Sequence, residues 1–202
     1  VKAFFAGDNN VYAAETAVAT EFKILRADAI IKGVTDGETY KVTYRDAGWT
    51  LSQILTDLSA SHNESALELV VGGEGRDFAT YKFTDVIADG YAVSIHLGES
   101  NNYNAATVNV KITINPAKVV ITNLAISGWT YDPSNQNAKT PTCNATFTDS
   151  DRTITYVYAD AIDGEYTSTV PTNAGTYYVK AIATALSSNV EGAESDPISF
   201  TI

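Results

Sequence analysis

Methionine is absent from this 202-residue sequence, cysteine occurs once and histidine twice. A single cysteine, Cys143, excludes an intrachain disulfide. His62 and His96 stand far from it and from each other, so no spacing suits a zinc site. His96 falls in a strand pattern and His62 in the polar loop Ser61-His62-Asn63-Glu64, and both read as structural or solvent-facing. Within Pro141-Thr142-Cys143-Asn144-Ala145-Thr146-Phe147 the cysteine reads as a small buried side chain where a strand begins.

Positive charge is scarce too. Thirteen Lys and Arg face 24 Asp and Glu, a formal net charge of −11. Such a surface repels phosphate backbones, which removes nucleic acid as a partner, and it offers no polybasic patch to anionic lipid. Acidity of this kind keeps an extended protein soluble. No run approaches the ~20 apolar residues of a membrane span, so membrane insertion is not expected. The start, Val1-Lys2-Ala3-Phe4-Phe5-Ala6-Gly7, is too short in apolar length for a signal peptide, and the end, Ile198-Ser199-Phe200-Thr201-Ile202, carries no sorting signal. Both ends read as cut from something longer.

What is abundant is Thr, Val, Ile, Ala and Tyr, the residues that suit a pleated, half-buried surface, so the chain is expected to be all-β. Internal similarity sets the organisation. Asp89-Gly90-Tyr91-Ala92-Val93-Ser94-Ile95-His96, a polar loop and Ala106-Thr107-Val108-Asn109-Val110-Lys111-Ile112-Thr113-Ile114 form one pattern. Ala174-Gly175-Thr176-Tyr177-Tyr178-Val179-Lys180-Ala181-Ile182, a polar loop and Ile198 to Ile202 repeat it. Each is a Gly turn followed by two strands whose side chains alternate between a core and water.

A third, partial copy opens the chain, with Val1 to Phe5 matching Val179 to Ala183 and Glu21-Phe22-Lys23-Ile24 matching Ser199 to Ile202. Residues 1–24 therefore read as the closing hairpin of a preceding repeat, or alternatively as the first strands of a larger first domain. Complete repeats follow over 25–115 and 116–202, joined at Asn115-Pro116-Ala117, where the short Pro-containing link should restrict bending. That junction lacks the acidic ligands of a calcium-stiffened linker.

In the second repeat, strands are expected from Val119 to Ile126, at Ala145-Thr146-Phe147 and from Thr153 to Tyr158, with a turn at Asp163-Gly164. The first repeat departs from this. Thr50-Leu51-Ser52-Gln53-Ile54-Leu55-Thr56-Asp57-Leu58 has helical spacing and a Thr50/Gln53 capping box, which predicts one short helix near 50–60 between strands at 38–44 and 66–71.

The residues that could carry chemistry read as structure. No Gly-x-Ser-x-Gly elbow or activated nucleophile is present, and nothing marks one carboxylate pair for glycosidase work. Gly72-Gly73-Glu74-Gly75-Arg76 lacks the Lys-Ser/Thr of a phosphate loop and reads as a hairpin turn. Asp149-Ser150-Asp151 reads as a turn rather than a calcium loop. Trp49 and Trp129 each follow a Gly and precede a Thr, which suggests equivalent core positions, with stacking on sugar rings as the functional alternative. Lys23 or Lys41, Glu68 and Asn109 supply the residue types of a Lys–Asn isopeptide crosslink, in no specific pattern. No catalytic, cofactor-binding or metal residue is assigned, no cofactor is expected, and ligand-binding residues stay unassigned.

Ile126-Ser127-Gly128-Trp129-Thr130-Tyr131-Asp132, the run Val170-Pro171-Thr172-Asn173-Ala174-Gly175-Thr176-Tyr177-Tyr178-Val179-Lys180-Ala181, and Asn102-Tyr103-Asn104-Ala105 carry a family resemblance. Over 117–202 well, 80–115 fairly and 25–79 poorly, the chain resembles tandem immunoglobulin-like repeats of large bacterial cell-surface proteins. The resemblance implies an all-β fold of tandem immunoglobulin-like β-sandwiches on the bacterial cell surface. It also implies a stalk or adhesin region rather than an enzyme, and brings no binding residues with it. The partners it implies are neighbouring repeats of the same longer chain or other copies of it, with a glycan or protein of the host or environment as the adhesin alternative. A filament subunit joined by strand complementation is the further alternative.

Overall fold

The protein is all-β with one short helix among the residues that the computed structural model describes, namely 3–5, 14–15 and 21–202 (Phe5 and Ala14 by backbone only). Its largest sheet has five strands in the order Thr39–Thr43, Ala106–Asn115, Tyr91–Leu97, Leu67–Val71, Glu74–Arg76. The first neighbours are parallel and the rest antiparallel. Alternation decides its two faces. Leu69, Val93, Ile95, Leu97, Val110, Ile112 and Ile114 are buried on one face, while Glu68, Ala92, Asn109 and Lys111 point outward.

The helix Leu51–Ile54, Phe83 and the short pair Ile31–Lys32 with Ser59–Ala60 pack on the buried face, with Leu51 and Phe83 fully enclosed. The helix is shorter than the span near 50–60 because Leu55 already leaves helical geometry and the chain turns into the Ser59–Ala60 strand. Its capping box is present, with the Gln53 side-chain oxygen accepting the Thr50 N–H at 3.0 Å. The hairpin turn at Gly72-Gly73 is also as read. Val71 opposes Glu74, and both glycines have positive φ (59° and 86°), the two-residue turn that only such residues adopt without strain.

Past Pro116, Arg152–Ala159 pairs antiparallel with Thr176–Ala185, which also takes Ala193–Glu194 and Ile198–Thr201 on its other edge. Trp129, Tyr158, Val179 and Phe200 form one core there, and Val119, Ala183 and Val190 a second. Several strand limits shift from the sequence expectation. The strand expected from Val119 to Ile126 spans Ile121–Ala125, interrupted by Asn123 at positive φ (54°), and pairs with Thr142–Ala145. Phe147, expected at the end of a strand, instead has φ 64° and turns away. The closing strand expected at Ile198 to Ile202 spans Ile198–Thr201, but the polar loop expected ahead of it holds two short strands, Val190–Glu191 and Ala193–Glu194, separated by Gly192.

Most of the expected hairpin over 1–24 lies outside the described residues. Phe4 and Phe5 pair antiparallel with Glu15 and Ala14 in a two-stranded sheet of their own. Glu21-Phe22-Lys23-Ile24, expected as a strand, has no strand partner among the described residues, and Phe22 and Ile24 are exposed.

Candidate functional site

Two loop clusters concentrate the polar contacts between segments distant in sequence. The first gathers the loop after Tyr91–Leu97, the loop before Leu67–Val71, and Arg26. Ser100 organises it. Its hydroxyl donates to Glu64 Oε2 at 2.6 Å and accepts the N–H groups of Asn102 (3.3 Å) and Tyr103 (3.1 Å). The Asn102 carboxamide donates to Glu64 Oε1 at 3.0 Å. These two donors, Ser100 first, hold the Glu64 carboxyl below its ordinary value, because they stabilise the ionised form. The Asn102 carbonyl accepts the Ala27 N–H (2.9 Å), so that Ala27–Asp28 runs parallel to Tyr103–Asn104. Arg26 pairs with Glu99 at 2.8 Å in an exposed bridge that contributes little by itself. The His62 ring stacks on Tyr103 at 4.0 Å and takes the Glu64 N–H on Nδ1. Together Arg26, Glu64, Glu99, Ser100, Asn101 and Asn102 line an open concavity of about 620 Å³.

The second cluster joins the two halves of the chain. Asn189 Oδ1 accepts the Val86 N–H at 2.8 Å, and its Nδ2 donates to Asp85 Oδ1 at 3.2 Å. Ser188 donates to the Val86 carbonyl at 3.3 Å. Beside them Tyr44 meets Phe147, with ring centroids 5.6 Å apart. Burial, then the Asp151 carboxylate across the joint, raise the Tyr44 phenol. The loop that carries Asn189 is itself pinned: Ser187 donates to Asp151 Oδ1 at 2.9 Å, and the Leu186 N–H reaches the Asp151 carbonyl at 2.7 Å.

The residues singled out in the sequence fall elsewhere. Trp129 is buried against Phe200 with centroids 5.2 Å apart, but Trp49 is not its counterpart. Trp49 is half-buried, donates from Nε1 to the Thr43 carbonyl at 2.8 Å, and lies under the Arg45 guanidinium at 3.7 Å. His96 faces Thr107 on the outer side of the sheet at 2.9 Å. Cys143 is half-buried, 3.6 Å from the Tyr156 hydroxyl. Asp149 and Asp151 diverge, one pairing with Arg152 at 2.7 Å and the other accepting from Thr148 at 2.8 Å, so this segment is a turn.

The isopeptide residue types are not brought together. Asn109 lies opposite Ser94 on the exposed face, while Lys41 lies opposite Thr113, about 13 Å along the strand. Lys23 and Glu68 are exposed as well.

Sequence reasoning missed Asp85, Val86 and Asn189 as a joint, and Arg26, Glu64 and Asn102 as a concavity. One signal was present. Ser100-Asn101-Asn102 and Ser187-Ser188-Asn189 each place Ser-x-Asn directly ahead of the residue that accepts a parallel strand. Among the described residues no group of three His, Cys, Asp or Glu could hold a metal ion, and no helix is long and apolar enough to cross a membrane. No protein-family model matches the chain, and no curated protein sequence matches it significantly.

Proposed function

We propose that this chain is a stalk segment of an extracellular bacterial surface protein, built from tandem immunoglobulin-like β-sandwich repeats that project or assemble rather than catalyse. The observation that carries this reading is the joint itself. Asp85 and Val86 ahead of Pro116, and Ser188 and Asn189 behind it, are linked by three hydrogen bonds across more than a hundred residues. A link of one residue between Asn115 and Ala117, closed by side chains on both flanks, supports serial units held at a fixed angle. The antiparallel order Leu67–Val71, Tyr91–Leu97, Ala106–Asn115 supports the sandwich reading, since one of the two sheets of such a fold has a three-strand antiparallel core. Small-angle scattering should give an elongated particle; a compact one would reject the stalk.

A second reading, a carbohydrate-binding module at a sandwich end, is favoured by the concavity at Glu64 and Ser100 to Asn102, whose acceptors and donors suit sugar hydroxyls. A glycan array without hits on the folded chain removes it.

A further inference from the structure

We infer that the Glu64–Asn102 concavity and the exposed segment Glu21–Leu25 are one half of a second joint. Its partner is another β repeat of the 25–115 kind, for which Glu21–Leu25 is the closing strand. This rests on the stalk reading and deepens it by naming what the first repeat docks against.

The two serine loops have the same internal construction. Ser187 donates to Asp151 at 2.9 Å and accepts the Asn189 N–H at 3.3 Å, as Ser100 donates to Glu64 at 2.6 Å and accepts the Asn102 N–H at 3.3 Å. The Asn189 carbonyl accepts the Ala117 N–H at 3.0 Å, as the Asn102 carbonyl accepts that of Ala27 at 2.9 Å. Ala117 then pairs parallel with Val190, as Ala27 does with Tyr103. Asn102 is therefore the counterpart of Asn189, and Ala27 of Ala117.

That correspondence fixes what lies upstream. Counting back from Ala117 reaches Ile114 and Ile112, which are 2% and 0% exposed in the core of the first repeat. The same steps back from Ala27 reach Ile24 and Phe22, which are 84% and 69% exposed. Large apolar residues at alternate positions, with Glu21, Lys23 and Leu25 between and beyond them, match a closing strand whose sheet is not in place. Asn189 spends its carboxamide on Asp85 and Val86 of the preceding repeat, whereas Asn102 is exposed and holds Glu64 instead.

The occupant must present a carboxylate and a free backbone N–H at the places of Asp85 and Val86. The far end of this same chain does not. Counted from Gly175 as Asp85 and Val86 are from Gly90, those places hold Val170 and Pro171, and proline has no N–H. Head-to-tail docking of two copies through this joint is thus disfavoured, and a repeat like residues 25–115 is the fitting partner.

The test adds that partner. In a longer chain, a second copy of residues 25–111 is joined directly to Phe22, which then stands where Ile112 stands. Cysteines replace Asp85 of the added copy and Asn102, with Cys143→Ser. The control is the 202-residue chain with Asp85→Cys, Asn189→Cys and Cys143→Ser. A short bifunctional thiol reagent should cross-link both pairs. Closure of the control alone overturns the second joint and leaves the stalk reading standing; closure of neither overturns both. A further measurement holds if the longer chain folds poorly. In the 202-residue chain, Phe22→Asp and Ile24→Asp should each move the melting temperature by no more than about 1 °C, because exposed changes away from special features are near neutral. A drop of several degrees would mean these side chains are already buried, and would reject the inference. So would a glycan that binds the concavity equally in both chains on a printed array.

Discussion

Replacing Asn189 by alanine should loosen the angle between the two halves without unfolding either. The substitution keeps the backbone bonds of residue 189, including the carbonyl that accepts the Ala117 N–H. It removes the acceptor of the half-buried Val86 N–H and the donor to Asp85. A net hydrogen bond contributes about 1 kcal/mol, and the longer, exposed bond to Asp85 about as much after solvent screening. The joint therefore loses about 2 kcal/mol, or about thirtyfold in its closed-to-open ratio. What remains is the Ser188 bond, the Tyr44–Phe147 contact and the packing of Tyr44 against the Val119, Ala183 and Val190 core. Scattering from Asn189→Ala should broaden toward a mixture of angles between the two halves, while far-ultraviolet dichroism is unchanged. A double-mutant cycle with Asp85→Ala should return a coupling of about 0.5–1 kcal/mol. Identical scattering and a coupling near zero would show that the covalent link alone sets the angle.

Three further outcomes follow from local geometry. Gly33→Ala would place a methyl 2.2 Å from the Asp57 carbonyl oxygen at φ 77°, whereas Gly37→Ala, at φ 78°, meets nothing within 4 Å. Denaturant melts should therefore show the first costing several-fold more than the ~1 kcal/mol of strain expected for the second, and equal costs would refute the close approach. Burial, reinforced by the Cys143 contact, pushes the Tyr156 phenol up to about 12. A raised folded value means a stability contribution that is full below the ordinary value of 10.0 and lost as pH rises toward 12, so part of the tyrosine absorbance change should coincide with alkaline unfolding. A single reversible midpoint near 10 for all the tyrosines would contradict this. Intact mass should match the sequence without loss of ammonia, since Lys41 and Asn109 stand apart; such a loss would reopen the isopeptide crosslink.

Local signals carried far in this sequence. Period-2 alternation placed the strands Tyr91–Leu97, Ala106–Asn115 and Thr176–Ala185 within two or three residues of their limits, because which side of a strand is apolar is written residue by residue. The Gly72-Gly73 turn and the Thr50–Gln53 cap were legible for the same reason, as each is closed by residues within four positions.

Tertiary structure decided the rest. Trp49 and Trp129 share their sequence neighbours, yet one is capped by Arg45 and the other is sealed by Phe200, a partner 71 residues on. Glu21 to Ile24 has the pattern of a closing strand, but a strand exists only where a neighbour offers its amides and carbonyls, and none does among the described residues. Asp85, Val86 and Asn189 are ordinary loop residues until folding brings them within 3.2 Å across the joint. Composition and alternation determined that the chain is β and where its strands run. Which strands find partners, and which loops meet, depended on contacts between residues far apart in the chain, and these leave no periodicity to read.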